Sequence, residues 1–163
     1  MTASTSPAPP TDTSGLVSAI TRNTVEGGLG RFLEAFRWSV LSSFVKPLTL
    51  QRGHLLMAQG ERDRKIYFLE SGNLKVDIRT DGGLVQLAIL GPGTVVGEGS
   101  FFSHLARNAS VAAYSDCKVW EMGPQDFDNL RHQNPGVALA LAMALGAVMA
   151  SRMLDLSSRI TVT

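Results

Sequence analysis

Residues 97 to 111 read Gly97-Glu98-Gly99-Ser100-Phe101-Phe102-Ser103-His104-Leu105-Ala106-Arg107-Asn108-Ala109-Ser110-Val111, with one carboxylate, a small-residue turn and one guanidinium in fixed order. Strand-like stretches flank them. The glycines let backbone N–H groups come close to a ligand, and a short helix opening at Glu98 would leave its first N–H groups without intrahelical acceptors. A small anion suits such a place, a phosphate above all. Arg107 can offer two parallel N–H donors to a phosphate, whereas an ionised Glu98 only accepts, so it can take up a hydroxyl but repels a phosphate beside it. The two side chains are therefore expected to hold opposite ends of one ligand.

The elements that position them must fit in 163 residues, enough for one good core and short for two domains with a linker. With 15 Lys and Arg against 14 Asp and Glu, the chain has no general basic field, which argues against nucleic acid as a partner. A lone cysteine, Cys117, and the scattered His54, His104 and His132 exclude a disulfide framework and the usual Cys/His metal site. Cys117 reads as a small half-buried strand residue, and no serine stands in a nucleophile-elbow pattern, so neither a metal cofactor nor enzymatic catalysis is expected. The first ten residues lack the basic and apolar runs of a secretory signal, so a cytoplasmic protein is expected. The nearly apolar run from Val137 to Ala150 is shorter than the roughly 20 residues a bilayer crossing needs, and no membrane insertion is expected of it.

In chain order, residues 1–15 are rich in Pro, Ser and Thr and read as a flexible tail. Residues 16–44 read as a helical preface, broken at Gly27-Gly28, with Phe32, Leu33, Phe36, Val40, Leu41 and Phe44 in one packing stripe. Over residues 45–123 the pattern changes to about eight short strands: 46–51, 54–57, 65–70, 73–80, 85–90, 94–96, 107–113 and 118–121. Glycine-bearing turns separate them, which argues for a small roll, barrel or sandwich. Leu74, Val76 and Ile78 alternate with Lys75, Asp77 and Arg79, one face buried and one wet, and a closed roll would hide the strand edges. Residues 124–158 return to helical period: a short helix from Pro124 that stops before Asn134-Pro135-Gly136, then a long one from Val137 to about Ser157. Ala138, Ala142, Gly146 and Ala150 form a small-residue ridge on that helix. The ridge can pack against the chain's own roll or against a second copy. Residues 159–163 read as a tail or a linker cut short.

Helices, an eight-strand antiparallel roll of jelly-roll type with a short helix before its last two strands, then a short and a long helix, resemble the plan of the cyclic nucleotide-binding domain. Residues 97–110 are similar to its phosphate-binding cassette: Gly97-Glu98, the small Ser100, then Arg107 nine residues after the glutamate, followed by a residue and Ala109. The resemblance runs from about Phe32 to Met153 through Gly53, Gly60, Ile66-Tyr67-Phe68-Leu69, Ser71-Gly72, Gly91-Pro92-Gly93, Asp126-Phe127 and Asn134-Pro135. It implies that Arg107 binds the cyclic phosphate and Glu98, beside Gly97, the ribose 2′-hydroxyl. Gly99, Ser100, Asn108 and Ala109 complete the phosphate site. The base is expected between the roll and the long helix, under Met143, Leu145, Met149 or Met153. Gly99 stands where the family has a larger apolar residue, and Asn108 where it has a small hydroxyl or alanine.

The resemblance implies a sensor of a 3′,5′-cyclic nucleotide, cyclic AMP being the commonest in the family and cyclic GMP, CMP or UMP alternatives. Closure of the long helix would carry the signal to an effector in cis or in trans, such as a channel, a transporter, or a TIR or membrane effector of an anti-phage system. A helix-turn-helix would follow the long helix in the catabolite-activator branch, and the chain ends at Thr163, which disfavours a DNA-binding activator for the sequence as it stands. A homodimer through the helix at 137–157 is the assembly implied if the ridge packs against a second copy. The competing reading is a ligand-free interaction module with a vestigial pocket.

Overall fold

The computed structural model describes residues 11–23 and 28–161, with side chains described as far as residue 155. The expected tail over residues 1–10, the break at Gly27 and the end of the C-terminal tail lie outside these. Helix α1 spans Ser14–Arg22, starting just inside the expected tail, and buries Leu16, Ala19 and Ile20. The stretch 29–44, expected as one helix, is a chain of short turns: 3-10 turns at Leu29–Arg31, Ala35–Arg37 and Ser42–Phe44 around a four-residue helix α2, Trp38–Leu41. Glu34 is extended (φ −67°, ψ 138°) and breaks the helical path, so the stripe divides. Leu33 and Leu41 reach the core, while Phe36 is 67 % exposed.

Eight strands follow: β1 (Lys46–Leu50), β2 (Leu55–Met57), β3 (Ile66–Ser71), β4 (Leu74–Thr80), β5 (Gly83–Leu90), β6 (Val95–Val96), β7 (Ser110–Ala113) and β8 (Cys117–Met122). They form two antiparallel four-stranded sheets in the orders β1-β8-β3-β6 and β2-β7-β4-β5. The eight-stranded antiparallel roll with flanking helices is thus the architecture. Between the sheets, Leu50, Met57, Leu69, Leu74, Val111 and Val119 make one core. A second core joins the outer side of β3 and β8 to the helices through Phe68, Trp120, Leu16, Leu41, Leu141 and Leu145.

Two expectations about the strands need correcting. Asp77, expected on the wet face of β4, is only 8 % exposed and pairs with Lys75 on that same face, beside a shift in the ladder where Leu87 is an extra residue in β5. The edges are not all hidden either: β5 pairs with β4 on one side only and leaves Leu84, Val85, Leu87 and Ile89 exposed. Cys117 is more buried than expected, and that burial pushes its thiol pKa up against the hydrogen bonds it makes with Asn73 and Ser115.

Helix α3 (Glu98–Ser103) interrupts the roll before β7, and α4 (Pro124–Gln133) and α5 (Pro135–Thr161) close the chain. Asp126 accepts the Gly123 N–H at 2.8 Å and so caps α4, while Asn134 Oδ1 accepts the Val137 N–H at 3.1 Å at the start of α5. Helix α5 buries Val137, Ala138, Leu141, Ala144, Leu145 and Val148 against the domain. The small-residue ridge therefore starts inside at Ala138 and winds outward, Gly146 and Ala150 being exposed. By length and composition alone Pro135–Asp155 is long and apolar enough to cross a membrane, longer than the apolar run suggests because the helix extends past both of its ends. One face of it is nonetheless core of the domain.

Candidate functional site

Gly97 opens the site. Antiparallel pairing of Tyr67 with Val96 and Phe68 with Val95 brings the chain after β6 beside Lys65, and there Gly97 turns with φ 95° and ψ 0°. A Cβ at Gly97 would stand 2.4 Å from the Lys65 carbonyl oxygen and 3.0 Å from Arg107 Nη1, so only glycine fits. Helix α3 then starts at Glu98, with no side chain capping its first N–H groups. Phe101 anchors it by edge-to-face contacts with Phe102 and Phe127, and Arg64 donates to the Phe101 carbonyl from above the same ring. The helix ends at His104, a non-glycine residue in the left-handed region at φ 61°.

Arg107 returns the chain to Gly97. Its backbone N–H donates to the Glu61 carbonyl at 2.7 Å, and its carbonyl accepts the Gly60 N–H at 2.8 Å. The side chain is 3 % exposed and is held by acceptors on three sides. Nη1 donates to the Gly97 carbonyl at 2.9 Å, Nη2 to the Lys65 carbonyl at 2.6 Å, and Nε and Nη2 to the two Asp63 oxygens at 3.3 and 2.5 Å. Four of the five N–H donors are engaged in this way, and one Nη1 hydrogen is left. A buried guanidinium bonds the nearest acceptors, which here are two loop carbonyls and Asp63.

Burial pushes the Asp63 carboxyl pKa up, but the Arg107 hydrogen bonds, the Lys65 N–H and the charges of both residues outweigh it and hold the pKa below its ordinary value. A depressed folded-state pKa means stability that is present above the unfolded value of about 3.9 and lost as pH falls through the folded one. Asp63→Asn is thus expected to be less stable than wild type at neutral pH, with the difference shrinking below about pH 4. Urea midpoints measured across that range check it, and a gap independent of pH would overturn it.

Glu98, 8 % exposed, has its Oε1 bonded by Arg152 Nη1 from α5, and Arg152 Nη2 donates to the Val95 carbonyl at 2.7 Å. Glu98 and Arg107 line one cavity of about 370 Å3, within the size range of small-molecule sites, roughly 300–1,000 Å3. Gly97, Gly99, Ser100, Asn108 and Ala109 line it as well, so the sequence-predicted phosphate and ribose groups are gathered at one place. Open space lies beside Gly99, where a Cβ would meet nothing within 4 Å. Across from them stand Val76, Ala88, Leu90 and Val111 of the roll, and α5 contributes Met149, Arg152 and Met153.

Two of the four expected base-covering residues stand elsewhere. Leu145 is fully buried in the helix-side core, and Met143 is 68 % exposed and absent from the cavity. Positions 145, 149 and 152 share one side of a helix, with 153 beside them and 143 turned away, so Met143 is kept from the cavity by its face and Leu145 by its place one turn earlier along α5, in the core. Sequence reading missed Asp63 and Arg152. Asp63 lies in the run Glu61-Arg62-Asp63-Arg64-Lys65, which looks like a solvated loop, whereas Arg152, a lone cation in an otherwise apolar stretch of helix, was a readable signal. Among the described residues no group of three or more His, Cys, Asp or Glu side chains is placed to hold a metal ion.

The profile of the cyclic nucleotide-binding domain family matches residues 47–134. The CRP-like cAMP-activated global transcriptional regulator of Mycobacterium tuberculosis is 30 % identical over 105 residues, 64 % of this chain and 46 % of that protein. The chain spans about half the length of the curated bacterial cAMP regulators it matches. Among solved structures, a cyclic nucleotide-binding domain from Methylobacillus flagellatus superposes with a TM-score of 0.77 at 17 % identity, over 91 % of this chain and 82 % of that one. The regulatory domain of Toxoplasma gondii PKA with cAMP superposes with a TM-score of 0.60 at 22 % identity, over 71 % of this chain and 43 % of that one. At such identities the likeness is one of fold.

Proposed function

The chain belongs to the cyclic nucleotide-binding domain family, and from that premise we propose that its cavity binds a 3′,5′-cyclic nucleotide as the input of a regulatory domain. The observation that carries this reading is the convergence of Glu98 and Arg107, with Gly97, Gly99 and Ser100 between them, on one cavity that α5 also lines. Glu98 accepts the ribose 2′-hydroxyl. The phosphodiester lies against the remaining Nη1 hydrogen of Arg107 and the backbone N–H groups at the start of α3, and Asn108 and Ala109 bound its far side. The base lies against Met149 and Met153 on the helix side and the apolar roll residues opposite. The cAMP named for the Mycobacterium tuberculosis and Toxoplasma gondii proteins makes cyclic AMP the first ligand to test.

Calorimetric titration with cyclic AMP, GMP, CMP and UMP, with 5′-AMP as a linear control, tests the reading. One cyclic form is expected to bind and to stabilise the fold by about 2.7 kcal/mol at 100 times its Kd. A chain that binds none of the four, with no thermal shift, refutes it and favours the vestigial-pocket reading.

The output of this sensor is a shift of α5, delivered to an effector in cis or in trans; a channel, a transporter, or a TIR or membrane effector remains the proposed range, in a cytoplasmic setting. Helix α5 already lines the cavity through Met149, Arg152 and Met153, so ligand acts on a helix that is docked rather than one that has to arrive. The same helix exposes Leu139, Met143 and Gly146, spaced four and three apart, and in the proposed homodimer a second copy packs on this face. A Cβ on Gly146 would meet nothing within 4 Å inside the chain. Gly146→Glu is accordingly expected to give folded monomers in sedimentation velocity, and an unchanged profile removes this dimer.

A further inference from the structure

Three consecutive residues before β3 grip the segment from Gly97 to Arg107. The Lys65 carbonyl lies against Gly97 and accepts Arg107 Nη2 at 2.6 Å, and the Asp63 carboxylate takes the same guanidinium from its other side. Between them, Arg64 reaches the middle of the segment. Its Nε and Nη2 both donate to the Phe101 carbonyl, at 3.2 and 2.9 Å, and its guanidinium carbon stands 5.4 Å from the centre of the Phe101 ring. Phe101 is 4 % exposed and meets Phe127 of α4 edge to face. Arg64 itself lies outside the cavity lining, and the binding of a ligand makes no direct use of it. Helix α3, which carries Glu98, Gly99 and Ser100 to the cavity, has six residues. Helices shorter than about 12–15 residues do not hold themselves in water, so tertiary contacts must keep this one formed. The Leu105 N–H donates to Ser103 Oγ at 3.1 Å instead of continuing the helix, and Arg64 is the donor that the Phe101 carbonyl receives.

Resting on the reading that the cavity takes a cyclic nucleotide, we propose that Arg64 is a positioning residue of the ligand site: from outside the cavity it fastens α3 by the carbonyl and ring of Phe101, so that Glu98, Gly99 and Ser100 are in place before the ligand arrives. Without Arg64 the helix comes loose in the ligand-free chain and the ligand has to rebuild it. The apparent affinity then falls in proportion to the fraction of molecules in which α3 is in place. That loss is the same for every ligand that uses the helix, which separates it from the effect of a residue touching one group of the ligand.

The test compares wild type, Arg64→Gln and Arg64→Lys by amide hydrogen exchange of the ligand-free chains, and by calorimetry with whichever of cyclic AMP, GMP, CMP or UMP binds wild type and with its 2′-deoxy analogue. The Phe101 and His104 N–H groups, which donate to the Gly97 and Ser100 carbonyls, report whether α3 is formed. In Arg64→Gln they are expected to exchange about tenfold faster or more, while the amides of β3 and β8 keep their wild-type rates. Both ligands are expected to bind about tenfold more weakly and by the same factor, corresponding to α3 in place in about one molecule in ten. Saturating ligand is expected to restore slow exchange at Phe101 and His104. Arg64→Lys keeps the charge without the guanidinium fork and its planar stack, and is expected to fall between. Exchange at Phe101 and His104 no faster than in wild type overturns the proposal, and so does faster exchange with unchanged affinity. Faster exchange spread equally over β3 and β8 makes Arg64 a general support of the fold and overturns it too, as do unequal losses on the two ligands. Wild type that binds none of the four overturns the reading of the cavity and the link to a ligand with it, while exchange at Phe101 and His104 still decides whether Arg64 fastens α3. Should Arg64→Gln not fold, Arg64→Lys is judged by the same outcomes.

Discussion

Arg107→Ala is expected to abolish cyclic nucleotide binding and to destabilise the domain together, with about a hundredfold or greater loss of affinity and about 2–3 kcal/mol of stability. Both effects come from the same four hydrogen bonds. The guanidinium joins the Gly97 carbonyl at the head of the cassette to the Lys65 carbonyl before β3 and to Asp63. Removing it leaves two carbonyls without their donor and the Asp63 carboxylate without its cation. Cutting one partner from a fully buried ion pair costs about 3–5 kcal/mol, and the Asp63 side chain, at 30 % exposed, recovers part of that from water. Arg107→Lys retains the charge but cannot reach three directions from one ammonium, so it should bind weakly and unfold early. Urea denaturation with an unchanged slope, alongside calorimetry, measures the two effects separately. An Arg107→Ala protein of wild-type stability would mean that the bonds to Gly97 and Lys65 add nothing, and retained binding would remove Arg107 from the site.

Gly97→Ala should be as damaging, by one methyl group. The position has φ 95°, where an L-residue costs roughly 1–2 kcal/mol, and the new Cβ would stand 2.4 Å from the Lys65 carbonyl oxygen. That oxygen is backbone at the entrance to β3, and overpacking against it adds roughly 1–3 kcal/mol. Relief by moving the cassette breaks the Arg107 Nη1 bond to the Gly97 carbonyl, so strain and ligand loss are coupled. Gly99→Ala is the control: it lies two residues on, in α3, with open space around its Cβ and a conformation any residue adopts, so it should fold as well as wild type or slightly better. Thermal unfolding of the two variants side by side decides the matter. Equal melting temperatures would show that the loop at Gly97 yields more easily than its contacts with Lys65 and Arg107 imply.

The strands were legible because their signal is local. Alternation in β4 and glycine turns on either side of β3 and β5 mark the roll one element at a time, and the observed bounds lie within a few residues of the expected ones. The stretch 29–44 was misread as a helix because its apolar spacing satisfies a helical stripe. A sequence of short turns wrapped on a core produces the same spacing, and Glu34 in extended conformation decides between them. The run of charges at 61–65 hid Asp63, since a loop residue that reaches a buried guanidinium looks the same in sequence as one that reaches water.

By itself the sequence determined the order and spacing of the cassette, the eight strands and the two closing helices, because each rests on contacts between near neighbours and on backbone preferences of single residues. The presence of Glu98 and Arg107 in one segment already implied a ligand with a hydroxyl and a phosphate. The tertiary structure decided who their partners are: Asp63 lies 44 positions before Arg107, and Arg152 lies 54 after Glu98. It also decided how α5 lies on the domain: Met149, Arg152 and Met153 line the cavity, Leu145, on the same side one turn earlier, is in the core, and Met143 is on the outside. Apolar residues occupy several sides of this helix, so its own pattern does not select the face that is buried. The packing of α5 against α4, α3 and the turn at Leu29–Arg31 does, and that depends on residues far away in the chain.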